Sequence, residues 1–209
     1  MANTTRTRLE ALKDTLYGEV GRRLVHASGS ALPALYLLGL ATWPQVQVLF
    51  VLAAVTTVVL EFLRLTVGLD WFIYEHLTRE YEQDSIAGYM MYMVSSTAVV
   101  LVAPSPDIAI PAVLMLMLAD PLSGTLSSNE LRLVKRPRVL VAMFVICSLI
   151  TLPFVYHAPL AVVLGALGGT VADGVKPTIG EFVLDDNLTI APVAAFGIWL
   201  GLQLNGFVL

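Results

Sequence analysis

Seven apolar stretches, separated by short polar or proline-bearing breaks, run along the chain at roughly 27–43, 45–66, 86–103, 108–128, 139–156, 159–175 and 189–208. Helical runs of about 17 to 25 apolar residues match a ~30 Å hydrocarbon core, so the pattern predicts an all-α, multi-span integral membrane bundle of about seven transmembrane helices. Ahead of them, residues 1–26 (MANTTRTRLEALKDTLYGEVGRRLVH) mix acids and bases at helical spacing. That segment predicts a cytoplasmic, solvated or interfacial helix feeding the first span, with no cleavable apolar region. Residues 27–209 read as one transmembrane domain without tandem repeats or low-complexity tracts.

Composition agrees with the pattern. The 209 residues are 57% hydrophobic and only 13% charged, with a mean hydropathy of +0.79, whereas about a quarter of a soluble domain is charged. The single Cys147 excludes an intramolecular disulfide and a cysteine-rich metal site. The net charge of −4 says little about partners, because what matters is where the charges sit. With a cytoplasmic N-terminus, the inner segments 1–26, 67–85, 129–138 and 176–188, with the span ends bordering them, hold all 12 Lys and Arg residues. The outer turns near 43–45, 104–107 and 156–159 hold none, as the positive-inside rule requires.

Polar residues within or beside the apolar runs gather near that inner face. An ionisable group at membrane depth costs roughly 2.5–3.5 kcal/mol, so it is normally paired or lines a wet cavity. Glu61 and Arg64, three apart, share a helix face and read either as a structural ion pair or as part of a site. Asp120, Ser123, Gly124 and Ser127 form one stripe; small residues there suit close packing, but packing alone does not call for the acid. Gly88, Tyr92 and Ser95 form a milder stripe that reads as packing. Asp173, after the small-residue run Gly165, Gly168 and Gly169, reads equally as a ligand or as a cap. Arg22, Arg23 and His26 enter the first span together, and Lys135, Arg136 and Arg138 follow the Asp120 helix. Topology and attraction to anionic headgroups account for such cations in general, though not for a histidine one turn inside a span.

In DDNLTIAPVAA, residues 185–195, Pro192 disfavours a helix running unbroken from Asp185. The last helix is therefore expected to start between Thr189 and Pro192, leaving DDNLT as irregular backbone at the membrane edge, a conformation tolerated only where buried in protein or lining a cavity. Two acids and an amide exceed what one cap needs, which favours divalent-cation coordination. Glu61, Asp120, Asp173, Asp185 and Asp186 then supply hard oxygen ligands at one level, opposite Arg22, Arg23, His26, Arg64 and the loop cations. This inventory suits Mg²⁺ shared between carboxylates and the phosphates of a nucleotide.

These elements, in order, resemble the dolichol kinases, phytol kinases and CTP-dependent diacylglycerol kinases. The resemblance is carried by Arg22-Arg23-x-x-His26, by Glu61-x-x-Arg64, by a glycine-and-aromatic span, by Asp120 with Ser123 and Gly124, and by Asp186-Asn187-Leu188-Thr189-Ile190 before Pro192. RLVKRPRVLVAMF keeps the cations of a further family element but lacks its Glu-Gly. The resemblance implies transfer of the γ-phosphoryl group of CTP or another NTP to a lipid alcohol, with Mg²⁺ as cofactor, a cytoplasmic site and no nucleic-acid partner. Asp120 and Asp186 would be catalytic. Glu61, Asp120, Asp173 and Asp186 would hold the metal. Arg22, Arg23, His26, Arg64, Ser123, Lys135, Arg136 and Asn187 would contact nucleotide or phosphate. A CDP-lipid synthase and a non-enzymatic transporter or scaffold are the competing readings.

The charge pattern generates a test of topology. Gln45→Cys and Ser105→Cys should react with an impermeant thiol reagent added to intact cells, and Asn129→Cys should react only after permeabilisation. The reverse labelling pattern would overturn the orientation.

Overall fold

The structure, a computed structural model, describes residues 20–68, 71, 74, 78, 82–83, 85–127, 134–175, 178–179, 182–183 and 185–208. Most of the expected N-terminal interfacial helix, and much of the expected inner segments 67–85, 129–138 and 176–188, lies outside the described residues. Residues 20–28 are helical. The helices that follow are α1 (Ala31–Leu37), α2 (Trp43–Val67), α3 (Gly88–Val102), α4 (Pro106–Leu126), α5 (Pro137–Val155), α6 (Pro159–Gly174) and α7 (Asp186–Val208). Between α6 and α7 lies a small antiparallel pair, β1 (Thr178–Ile179) with β2 (Phe182–Val183), in the register Thr178↔Val183 and Ile179↔Phe182.

Proline sets several helix starts. Pro44, Pro106, Pro137 and Pro159 sit in the first turns of α2, α4, α5 and α6, where a missing backbone N–H breaks no helical bond. Thr42 and Gln45 add a reciprocal capping box to α2, and Gly68 ends that helix with φ +69°.

Among the described residues, α2, α4, α5 and α7 are long and apolar enough to cross a membrane, and α3 and α6 are shorter apolar helices of 15 and 16 residues. α2 buries Val46, Phe50 and Glu61 but leaves much of its apolar surface uncovered. Val48, Leu52, Val55, Val59 and Phe62 are exposed, while Glu61 is only 2% exposed. Large exposed apolar faces around buried ionisable groups are the pattern of a bundle surrounded by hydrocarbon.

The first apolar run departs from the expected single span over 27–43. Its helical backbone is interrupted by a tight turn at Gly29 and Ser30, and α1 then runs for only 7 residues. A Cβ at Gly29 would lie 1.8 Å from the Tyr92 hydroxyl, so the chain passes the end of that side chain only because position 29 has none.

α6 and α7 meet backbone to backbone. A Cβ at Gly197 would lie 2.4 Å from the Leu164 carbonyl oxygen, one at Gly201 2.3 Å from the Ala161 Cα, and one at Gly168 2.7 Å from the Val193 carbonyl oxygen. Without a hydrophobic drive between helices in lipid, this close van der Waals contact is what small residues provide.

That seam accompanies a correction at the C-terminal helix. α7 begins at Asp186, before the expected start, with Pro192 inside it. Asp185 caps the first turn: its Oδ1 accepts the Asn187 backbone N–H at 2.9 Å, and its carbonyl accepts Leu188 N–H at 3.1 Å. Proline at position 192 forfeits the helical bond its own N–H would make, a loss transmembrane helices tolerate when packed against neighbours.

The seam predicts a steric threshold. Gly197→Val and Gly201→Val should each lower stability in detergent by about 1–3 kcal/mol, the usual cost of overpacking. Gly206→Ala, where a Cβ meets nothing within 4 Å, should leave the thermal midpoint at or above wild type. Equal tolerance at all three positions would contradict the close contact.

Candidate acidic site at one end of the bundle

α4 does not reach Asp120 as a regular α-helix. Met115–Ala119 form a π-helical turn, and the Asp120 N–H bonds back to the Met115 carbonyl, five residues earlier. One residue inserted in a helix turns everything beyond it by about 100°. Pro121, next in sequence, cannot donate to the regular ladder, and the wider turn precedes it. The stripe of Asp120, Ser123 and Gly124 thereby meets three other parts of the chain.

The first is the helical segment 20–28. His26 Nδ1 lies 3.5 Å from Asp120 Oδ2, and Arg23 Nη2 donates to the Gly124 carbonyl at 3.0 Å. The second is the end of α6, where Ser123 Oγ donates to Asp173 Oδ2 at 2.9 Å. Lys135 Nζ donates to Asp173 Oδ1 at 2.6 Å and to Ser123 Oγ at 3.1 Å. Lys135 is itself held from below, because its backbone N–H bonds the Gly174 carbonyl at 3.0 Å and Val134 bridges Val175. The Asp173 side chain is fully buried, and a buried carboxylate persists only with such compensation.

The third is the start of α7. Asp120, Asp173 and Asp186 each present a carboxylate oxygen, all within 4.8 Å of one another. Hard cations at about 2.1–2.6 Å place opposite oxygens about 4–5 Å apart, so the spacing is of the size one divalent ion spans. Three ionised carboxylates at this distance repel. Lys135, with the positive end of the α7 dipole at Asp186, offsets part of that repulsion, and a divalent cation would offset more. These three acids therefore fit a Mg²⁺ or similar ion by chemistry and spacing.

Other residues singled out in the sequence lie elsewhere. Glu61 is not a member of the acidic group; it pairs with Arg64 through two contacts, at 2.8 and 2.9 Å. Arg64 also donates to the carbonyls of Glu82, Gln83 and Ser85. Asn187, one residue past Asp186, donates its side-chain amide to Asp185 Oδ1 at 2.7 Å and accepts Ser95 Oγ–H at its carbonyl at 2.6 Å. Arg22 and Arg136 are partly buried on the segments that carry Arg23 and Lys135, and Arg138 is exposed.

The α3 stripe of Gly88, Tyr92 and Ser95 packs as expected, and its neighbours are residues that flank the acidic group. The Tyr92 hydroxyl donates to the His26 carbonyl at 2.9 Å, and its ring lies 4.1 Å from the imidazole. A Cβ at Gly88 would lie 2.9 Å from the Asn187 amide nitrogen. The spacing of Gly88, Tyr92 and Ser95 was visible, but nothing in it said which neighbours the face would meet. Compared with models of known protein families, with curated proteins and with solved structures, the chain matches none.

The Lys135–Asp173 pair yields a stability prediction. Lys135→Met leaves a buried carboxylate without its cation and should cost about 3–5 kcal/mol. The double variant Lys135→Met/Asp173→Asn should recover part of that loss. A thermal-unfolding double-mutant cycle checks it, and strictly additive effects would show that the pair contributes no coupling.

Proposed function

We propose that this protein is a membrane lipid kinase of the dolichol kinase, phytol kinase and CTP-dependent diacylglycerol kinase type, which transfers the γ-phosphoryl group of CTP or another NTP to a lipid alcohol. The observation that carries the reading is the convergence of Asp120, Asp173 and Asp186 within 4.8 Å beside His26 and Lys135, at one end of a bundle whose outer surface is apolar. Phosphoryl transfer needs in-line positioning and charge neutralisation more than covalent chemistry. A site of acids and cations beside hydrocarbon supports a reaction between a charged nucleotide and a lipid hydroxyl.

Asp120, Asp173 and Asp186 would hold Mg²⁺, which when bound supplies charge neutralisation at the nucleotide phosphates. Lys135 and Ser123 orient Asp173, and Arg23 and His26 approach the same end of α4, where they would contact phosphate. The lipid hydroxyl oxygen forms the new bond to the γ-phosphorus. The bond from that phosphorus to the bridging oxygen breaks, leaving a nucleoside diphosphate. The hydroxyl proton passes to a carboxylate, which we assign to Asp120 or Asp186. In this reading the chain crosses the membrane seven times, the first crossing made by the interrupted run 27–43, with the N-terminus and the site on the cytoplasmic side. The absence of Lys and Arg from the outer turns supports that orientation.

Purified protein given Mg²⁺ and a panel of polyprenol, diacylglycerol and phytol should move label from γ-labelled CTP or ATP into lipid. Label arriving from α-labelled CTP onto a lipid phosphate would instead identify a CDP-lipid synthase, and no transfer in either assay would overturn both. Asp186→Asn keeps size and capping ability but removes charge. It should retain thermal stability while losing activity by about two orders of magnitude or more at low Mg²⁺, the scale of removing a group that stabilises transition-state charge. Full activity at low Mg²⁺ would sink the metal assignment for this residue.

A further inference from the structure

The Glu61–Arg64 pair is not part of the acidic group, yet it makes several hydrogen bonds to other described residues. Its bonds converge on one place, the approach to α3. Glu61 Oε1 accepts the Ala87 backbone N–H at 2.7 Å, and Glu61 Oε2 accepts the Tyr89 hydroxyl. Arg64 binds the Glu82, Gln83 and Ser85 carbonyls at 3.1, 2.9 and 2.6 Å. Glu61 is buried, so its own bonds are made in a low-dielectric setting where each is stronger and an unmade one is costly.

α3 passes the constraint on. Gly88, adjacent to the clamped Ala87, lies against the Asn187 amide, which a Cβ there, 2.9 Å from its nitrogen, would displace. Two turns further on, Ser95 Oγ donates to the Asn187 carbonyl at 2.6 Å. Between them, Tyr92 holds the His26 backbone and packs its ring against the imidazole at a tilt of 42°. Asn187 is bonded to Asp186 through the chain, and His26 faces Asp120. A contiguous set of bonds thus runs from α2, along one face of α3, to both flanks of the acidic group.

We propose that Glu61 and Arg64 are positioning residues: the pair fixes the N-terminal end of α3, and α3 in turn fixes Asn187 with Asp186 on one side and His26 on the other. Neither side chain contacts nucleotide in this assignment. The effect on turnover rests on the lipid-kinase reading above, whereas the mechanical linkage does not.

Arg64→Lys tests it, since lysine retains the charge opposite Glu61 but lacks the planar fork that reaches several acceptors at once. Hydrogen exchange on protein in lipid nanodiscs should show faster exchange in residues 86–92 and also in 185–190, on a different helix. In the γ-label assay kcat should fall by about a hundredfold, the scale of misplacing a reacting group by 1 Å, with KM for the nucleotide unchanged. Tyr89→Phe, which removes one hydroxyl and leaves the ion pair, should shift exchange at both places in the same direction by less, and serves if Arg64→Lys does not fold. Gln47→Leu breaks the bond from Gln47 to the Val100 carbonyl at the opposite end of the α2–α3 contact and should alter neither exchange at 185–190 nor turnover. Wild-type exchange at 185–190 in both Arg64→Lys and Tyr89→Phe would overturn the proposal, and a raised KM in Arg64→Lys would place Arg64 on the nucleotide phosphates instead. If the wild-type protein transfers no phosphate at all, the lipid-kinase reading fails and the exchange comparison alone decides the positioning role.

Discussion

The glycine-lined contact between α6 and α7 constrains the acidic end of the bundle more than any other feature. These helices run antiparallel, joined by the segment that carries the small β pair, so the end of one and the start of the other lie side by side. With Gly168, Gly197 and Gly201 admitting neighbouring backbone, the helix axes approach as closely as their main chains permit. Asp173 on the last turn of α6 and Asp186 on the first turn of α7 are consequently brought near each other. A wider seam would separate the Asp173 and Asp186 carboxylates.

Around that seam the bundle buries polar groups while leaving much apolar surface uncovered. α2 turns valine, leucine and phenylalanine outward and Glu61 inward, while Asp173, Asp186, Asn187 and Ser123 are all buried at one end. Charge in such a setting survives by pairing, and each buried acid whose bonds are described above meets a cation, a hydroxyl or a backbone N–H. The result is two polar units with different compositions. Glu61 with Arg64 is an ion pair closed by backbone groups. Asp120, Asp173 and Asp186 form a group of three acids, with His26 and Lys135 beside them, whose spacing suits a bound cation.

α3 connects the two units without contributing an acid to either. Its Gly88, Tyr92 and Ser95 touch Asn187 and His26, and its first residues are bonded to Glu61. A helix of this kind does more than fill space, because in a close-packed interior a shift at one end is transmitted rather than absorbed.

Much of the helical architecture was legible in the sequence. Apolar runs near 45–66, 86–103, 108–128, 139–156 and 159–175 reappear within a few residues as α2 to α6, because a segment in hydrocarbon must satisfy its own backbone and only a helix does so locally. The acids and cations at one end were legible too, since an ionisable residue in an apolar run is costly wherever it lies. Other features were decided by contacts distant in sequence. Whether Pro192 would end a helix or sit inside one depended on the Asp185 cap and on packing against α6. The close passage of Gly29 beside the Tyr92 hydroxyl, 63 positions away in the chain, is likewise a contact between distant residues. Which acids would converge depended on a π turn, which has no periodicity of its own, and on a seam whose glycines, Gly165 and Gly169 with Gly197 and Gly201, recur every four residues but do not name their partner helix. Local hydrophobic pattern determines where a helix exists; the tertiary structure alone decides which faces meet, because that choice is made by the shapes of two surfaces together.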